Sequence, residues 1–228
     1  VIMAGAHGDE VCGVKAFNEL ISRIEIEKGN VVFIYANLEA QKQNKRFIEE
    51  NLNRCFLDEQ PEEIKNTLEG KTAKAIIPYL KKADVLLDVH SSDNSDNLKF
   101  LICEEDCKDL VDALSPEKII LGIDDAQKGS SDGYMYNQGK PGICIECGLH
   151  NSKESEERAK SSIINFLKRL EAIKGKPGIY PDKKFFRVEK MYKNKFGEFK
   201  LEKEFKDFDN VKKGTFMGTD GNKKIYSD

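Results

Sequence analysis

Apolar positions along this chain fall into short runs and into stripes of helical spacing, and the two kinds alternate. The opening run ends at Gly5. After a Gly-flanked turn, apolar residues recur at Val11, Val14, Phe17, Leu20, Ile21 and Ile24, so a strand feeds a helix. Val31 to Ala36 (V-V-F-I-Y-A) and Asp84 to Val89 (D-V-L-L-D-V) are short, apolar and rich in β-branched residues, the pattern of buried strands. Between them a polar stretch, Asn37 to Phe56, precedes a helical pattern. That pattern opens at Pro61 with Glu62 and Glu63 and runs toward Leu80, with a break expected near Pro78. Leu98 to Cys103, Ile119 to Leu121 and Ile143 to Cys147 read as strands, with a short helix between the first two and another over Ser130 to Gln138. Asn151 and Glu154 resemble a capping box. They open a helix carrying Ile163, Ile164, Phe166, Leu167 and Leu170, stopped by Gly175.

The alternation of strand and helix predicts a three-layer α/β/α domain around a mixed, largely parallel sheet over residues 1–174. After K-G-K-P-G-I-Y-P the pattern changes. Phe185 to Tyr192, Glu198 to Phe205, Gly214 to Met217 and Lys223 to Tyr226 are short strand signals separated by Gly and Asn/Asp turns. Residues 175–228 are therefore expected to form a small β domain, read as a cover for an active site.

Composition narrows the class. The 228 residues suffice for one large domain or a domain with an appendage. A net charge of −3, from 37 basic against 40 acidic residues, gives no reason to expect nucleic acid. No run approaches the ~18 apolar residues of a membrane span, and no signal peptide is expected. Six cysteines scattered through apolar surroundings point to reduced thiols and a cytoplasmic setting. Cys144 and Cys147 form a C-x-x-C, but on a strand they point to opposite faces, which argues against a metal pair.

The chemistry gathers at strand ends. His7 and Glu10, in A-H-G-D-E, offer an imidazole and a carboxylate three residues apart, two-thirds of a catalytic zinc site. His90 ends the second buried strand and is the third candidate, with Asp88 on the same strand face as a partner for its ring. Taken singly, a strand-end histidine is more often a satisfied structural residue; the conjunction is what counts. A closed structural zinc site is disfavoured because no cysteine stands at a convincing spacing from His7 and Glu10.

G-A-H-G-D-E, N-L-N-R, D-V-H and I-E-C-G, in this order, resemble the succinylglutamate desuccinylase/aspartoacylase family, of the zinc carboxypeptidase-like superfamily. The resemblance covers residues 1 to 150, with a weaker echo in N-V-K-K-G-T-F-M-G. It implies one zinc ion held by His7, Glu10 and His90. It further implies Arg46 polarising the scissile carbonyl, Asn53 and Arg54 holding a substrate carboxylate, and Glu146 as the catalytic acid–base. A planar guanidinium suits the carboxylate role, and a carboxylate in so apolar a strand as I-C-I-E-C-G needs a reason. Two departures stand out. Family members usually carry sequence before the first motif, whereas Val1 opens it here. The stretch S-S-D-G-Y-M-Y-N-Q-G-K-P has no Arg, where aspartate-type members use basic and aromatic groups to read a second carboxylate; Lys140, Tyr134 and Tyr136 are the available substitutes.

The expected activity is zinc-dependent hydrolysis of an amide in a small carboxylate-bearing molecule, with an N-acyl amino acid as the leading case. The competing readings are a metallocarboxypeptidase acting on short peptides and a non-catalytic zinc-containing binding protein. The latter is disfavoured because both Glu146 and Arg46 are present. The partner is a small molecule rather than nucleic acid or membrane, and a homo-oligomer is compatible with the sequence.

Overall fold

The computed structural model describes residues 1–93, 98–104 and 107–227. Part of the predicted polar loop after His90, and part of the segment before the short helix, lie outside these residues. In chain order the elements are β1 (Ile2–Ala4), α1 (Cys12–Leu20), β2 (Phe33–Tyr35) and α2 (Leu38–Gln43). A 3-10 turn over Leu52–Arg54 precedes α3 (Glu62–Lys65), α4 (Leu68–Lys82), β3 (Leu86–Ser92) and β4 (Phe100–Cys103). Then come α5 (Lys108–Val111), β5 (Lys118–Leu121), α6 (Ile123–Ala126), α7 (Ser131–Asn137), β6 (Gly142–Leu149), α8 (Lys153–Arg169) and β7 (Lys184–Arg187). The chain ends with β8 (Phe199–Leu201), β9 (Phe216–Asp220) and β10 (Lys223–Tyr226).

Seven strands form one sheet in the order β2-β1-β3-β6-β4-β5-β7. Every neighbouring pair is parallel except β6 and β4. Strand alternation divides the sheet between two cores. Ile2, Ala4, Leu87, Val89, Ile143 and Ile145 face α1 and α8, represented by Phe17 and Phe166. Met3 and Leu86 face the other way, against Leu80 of α4 and Met135 of α7. The expected mixed, largely parallel α/β sheet is present, with helices on both faces. Helix α1 can lie close because residue 13 is glycine: a Cβ there would stand 2.7 Å from that of Ala4.

Three local expectations are corrected. The helical pattern after Pro61 breaks not at Pro78 but at Asn66–Thr67, where the Thr67 side chain accepts from Gly70 N and starts a new helix that runs through Pro78. A good N-cap a few residues into the pattern outweighs the single hydrogen bond that a proline removes. Helix α8 is capped by Ser152, which accepts from Ser155 N, while Asn151 takes a left-handed φ of 58°. The strand signal at Phe185 does not begin the small β domain: β7 pairs in parallel with β5 as the edge of the large sheet. The larger compact unit accordingly runs from Val1 to Glu189, not to 174, and the second from Lys190 to Asp228.

The second unit is a three-stranded antiparallel sheet, β10-β9-β8. Buried Asp220 organises its entry, accepting from the backbone N–H of Lys195 (2.6 Å) and Phe196 (2.9 Å) and from the Tyr192 hydroxyl (2.9 Å). Among the described residues no helix is long and apolar enough to cross a membrane.

Candidate metal centre and its surroundings

The strand period builds this site. On β3, Leu87 and Val89 turn into one core while Asp88 and His90 turn to the opposite face. Register places Cys144 beside Asp88 and Glu146 beside His90 on parallel β6, so those four side chains share a face. From the neighbouring strand β1 the chain passes through the turn at Gly5 to His7 and Glu10. Gly8 allows this turn to lie against α2, since a Cβ there would meet the Ala40 carbonyl carbon at 2.1 Å. The groups therefore meet at the carboxyl ends of β1, β3 and β6, adjacent strands in the sheet, the usual place for a site in an open α/β sheet.

Glu10, 2% exposed, stands between the two imidazoles. His7 Nδ1 lies 2.7 Å from its Oε1, and His90 Nδ1 lies 2.8 Å from its Oε2. Ser91 N donates to Oε2 at 3.0 Å, and Arg46 Nη1 donates to Oε1 at 3.1 Å. The outer ring nitrogens are held as well: His7 Nε2 is 3.0 Å from Asn51 Oδ1, and His90 Nε2 is 3.0 Å from Asp88 Oδ2. With an ion bound, these acceptors would hold the ring protons on Nε2 and leave both Nδ1 atoms, on the Glu10 side, free to act as ligands. The ligand atoms of His7, Glu10 and His90 all lie within 4.8 Å of one another. Two imidazole nitrogens and one carboxylate, with their outer atoms tied down, are a donor set that fits a zinc-type divalent ion with an open position.

The electrostatics agree with this arrangement. Burial acts to raise the Glu10 carboxyl, but the two imidazoles prevail and hold it well below the usual carboxylate range. Burial acts to lower His90, but Asp88 and Glu10 raise it well above the ordinary histidine value. Such a cluster keeps a positive charge near Glu10, the place a metal ion would take. Glu146 behaves oppositely: burial and the nearby Glu10 charge push it up to about 7. Its Oε2 is shielded and finds no hydrogen-bond partner among the described residues.

All seven residues singled out in the sequence lie in or beside this cluster. Arg46 reaches it with a side chain 49% exposed. Asn53 Nδ2 is 3.4 Å from His90 Nε2. Arg54 donates through Nη1 to the Asn53 carbonyl and through Nη2 to Gln127 Oε1 at 2.6 Å. Of the suggested readers of a second carboxylate, two are engaged elsewhere: Lys140 Nζ donates to the Lys81 carbonyl, and the Tyr134 hydroxyl to Asp58 Oδ1, while Tyr136 is exposed.

Other residues here escaped the sequence reading. Asn51 carried a signal, two positions before Asn53 in N-L-N-R. Gln127, Ser131 and Glu69 carried none. Ser131 Oγ donates to Asp88 Oδ2 at 2.6 Å. Glu69, in the first turn of α4, accepts from the backbone N–H of Ile48, Glu49 and Glu50 and from Asn37 Nδ2, pinning the loop between Arg46 and Asn51.

Residues 1–171 match the family model of the succinylglutamate desuccinylase/aspartoacylase catalytic domain. The chain belongs to that family. A curated relative from Nostoc sp., described as a probable aspartoacylase, is 30% identical over 162 residues, which are 64% of this chain and 54% of the relative. The chain thus spans about half the length of this relative. Among solved structures, succinylglutamate desuccinylase from Vibrio cholerae has a TM-score of 0.77 at 20% identity, covering 99% of this chain and 72% of that one. The Vibrio parahaemolyticus succinylglutamate desuccinylase gives 0.73 at 21%, covering 99% and 73%. At such identities the structural likeness supports the fold. The family match extends over the turn with His7, the N-L-N-R segment, β3 and β6, and so contains every residue of the cluster.

Proposed function

We propose that this protein is a zinc-dependent deacylase that hydrolyses the amide bond of an N-acyl amino acid. The observation that carries the reading is Glu146, an unpartnered carboxylate oxygen set by strand register beside His90 in a His-Glu-His cluster. Membership of a family named for two deacylases supports it. His7, Glu10 and His90 would hold the ion. Bound there, zinc supplies a Lewis acid that acidifies water and polarises a carbonyl.

The remaining chemistry belongs to the chain. Arg54 binds the substrate carboxylate through its guanidinium fork, exchanging Gln127 for the ligand. Asn53 orients the same end. Arg46, tied to Glu10 and half exposed, extends a cation toward the scissile carbonyl oxygen and stabilises the charge that develops on it. Glu146 takes the proton from the attacking water through its free oxygen and delivers it to the leaving nitrogen. Burial, which disfavours the charged form, and the shielded oxygen make Glu146 a carboxylate suited to taking up that proton and giving it back. The six free, buried cysteines support a reducing, cytoplasmic setting for this small-molecule reaction.

The test pairs metal content with turnover on one sample. Zinc-loaded protein is expected to carry one metal ion per chain and to hydrolyse N-acyl amino acids faster than short peptides. Glu146→Gln keeps shape and polarity and removes the base. It is expected to retain the metal and lose at least about 10²-fold in kcat. Turnover within a few-fold of wild type, with zinc intact, would make Glu146 structural and sink the mechanism. Preference for peptides would move the reading to a carboxypeptidase.

A further inference from the structure

The chain has three histidines, and only His7 and His90 serve the zinc centre. The third, His150, follows β6 and is bound into the same place. Its backbone N donates to Ser92 O at 2.7 Å, and its Nδ1 lies 2.9 Å from Ser91 Oγ. Ser91 donates its own backbone N–H to Glu10 Oε2 at 3.0 Å. The imidazole is thus held against the end of β3, near the carboxylate that His7 and His90 share. Asp9, the residue before Glu10, completes a group. Ligand atoms of Asp9, Glu10 and His150 all lie within 4.8 Å of one another, the same closeness as those of His7, Glu10 and His90.

Two features point to a cation here rather than to an idle polar group. Asp9 Oδ1 is shielded and finds no hydrogen-bond partner among the described residues. A shielded carboxylate oxygen is costly without a donor or a cation to meet it. Glu10 pairs directly with His7, Arg46 and His90, but neither it nor Asp9 forms an ion pair with His150. The donors therefore surround a gap, which a divalent ion with bonds of about 2.1 Å would draw closed. Asp9 and His150 are both partly exposed, so ions have access. One imidazole and two carboxylates are a harder donor set than two imidazoles and one carboxylate, and such a set accepts manganese as well as zinc.

We propose that Asp9, Glu10 and His150 form a second divalent-cation site, weaker than the first and sharing Glu10 with it. The desalted chain then keeps one zinc ion, and a second ion binds exchangeably when free metal is present. Manganese is the probe, because zinc outcompetes it at the two-imidazole site and free manganese is counted by its electron paramagnetic resonance signal. The one-zinc protein is expected to take up one further manganese ion per chain with its zinc content unchanged. His150→Ala and Asp9→Asn should each weaken that uptake by at least about tenfold, the low end for losing even a supporting group of a metal, and should leave the zinc in place. No manganese uptake by the wild type overturns the site. Uptake unchanged in either variant also overturns it, because the ion then sits elsewhere. Uptake matched by loss of zinc does the same, because it is exchange at the first site. The second site does not depend on the deacylase reading. If the desalted chain holds no zinc, that reading falls, and manganese binding to the metal-free chain decides the second site by the same two variants: weakened in both supports it, unchanged in either overturns it.

Discussion

His90 is held from both sides of its ring, by Glu10 at Nδ1 and by Asp88 at Nε2, and Asp88 is held in turn by the Ser131 hydroxyl. The chain of contacts fixes which nitrogen faces Glu10, so its outer members act on metal affinity without touching the ion. Asp88→Asn is expected to weaken zinc binding by about 10–100-fold, the usual cost of losing such a support. Ser131→Ala should act in the same direction and more weakly. Competition with a chromogenic chelator measures both; wild-type affinity in Asp88→Asn would show that packing alone orients the ring. At this scale the sequence was legible wherever a residue's own strand or motif announced it. Asp88 follows from a period of two, and His7 with Glu10 from their spacing. Ser131 and Gln127 were not legible, because each acts on a partner 43 or 73 positions away and looks like an ordinary polar loop residue beforehand.

Among the elements, the loop between α2 and the 3-10 turn is held mainly by one carboxylate. Glu69 is fully buried and accepts from three successive backbone N–H groups and Asn37 Nδ2. Burial acts to raise its pKa, but these donors outweigh it and leave it lowered. A folded value below the unfolded one means stabilisation that is complete above the ordinary carboxylate range and lost as pH falls through the folded value. Glu69→Gln is expected to cost about 1.5–3 kcal/mol at neutral pH, the scale of hydrogen bonds to a charged group. It should also flatten the acid limb of the stability curve. Urea denaturation across the acid range checks it, and a variant parallel to wild type at every pH would exclude this role. The loop brings Arg46, Asn51 and Asn53 to the cluster, so the same variant should lower turnover more than metal content. Element boundaries were less legible than element types. The capping expectation at Asn151 fell one residue early because Asn and Ser are both good caps in adjacent positions. Ser152→Ala should cost about 1 kcal/mol while Asn151→Ala, at a positive φ, should act through backbone strain instead.

For the whole molecule, the informative error concerns where the catalytic unit ends. Composition changes after Lys174, and a reader of patterns cuts there. The packing continues. Tyr180 N donates to Asp112 O, Lys183 Nζ to Pro116 O, and Gly178 N to Asn165 Oδ1. Strand β7 then pairs residue for residue with β5 from Lys184 to Arg187, and Val188 N closes on Leu121 O. Without β7, β5 becomes an open parallel edge beside buried Ile119, with unpaired backbone groups that invite association. Two truncations separate the boundaries. A chain of residues 1–189 should unfold cooperatively and bind one zinc ion, since every donor and supporting residue of the cluster precedes Gly148. A chain of residues 1–174 should unfold at a clearly lower urea midpoint and tend to aggregate. Zinc per chain and the urea transition, measured side by side, decide the matter. Equal midpoints for the two chains would mean that β7 is a passive strap and that the catalytic unit ends where the sequence pattern changes. Loss of zinc from 1–189 in a folded state would mean that residues beyond Glu189 are needed to hold the ion, and the three-donor assignment would fall with it.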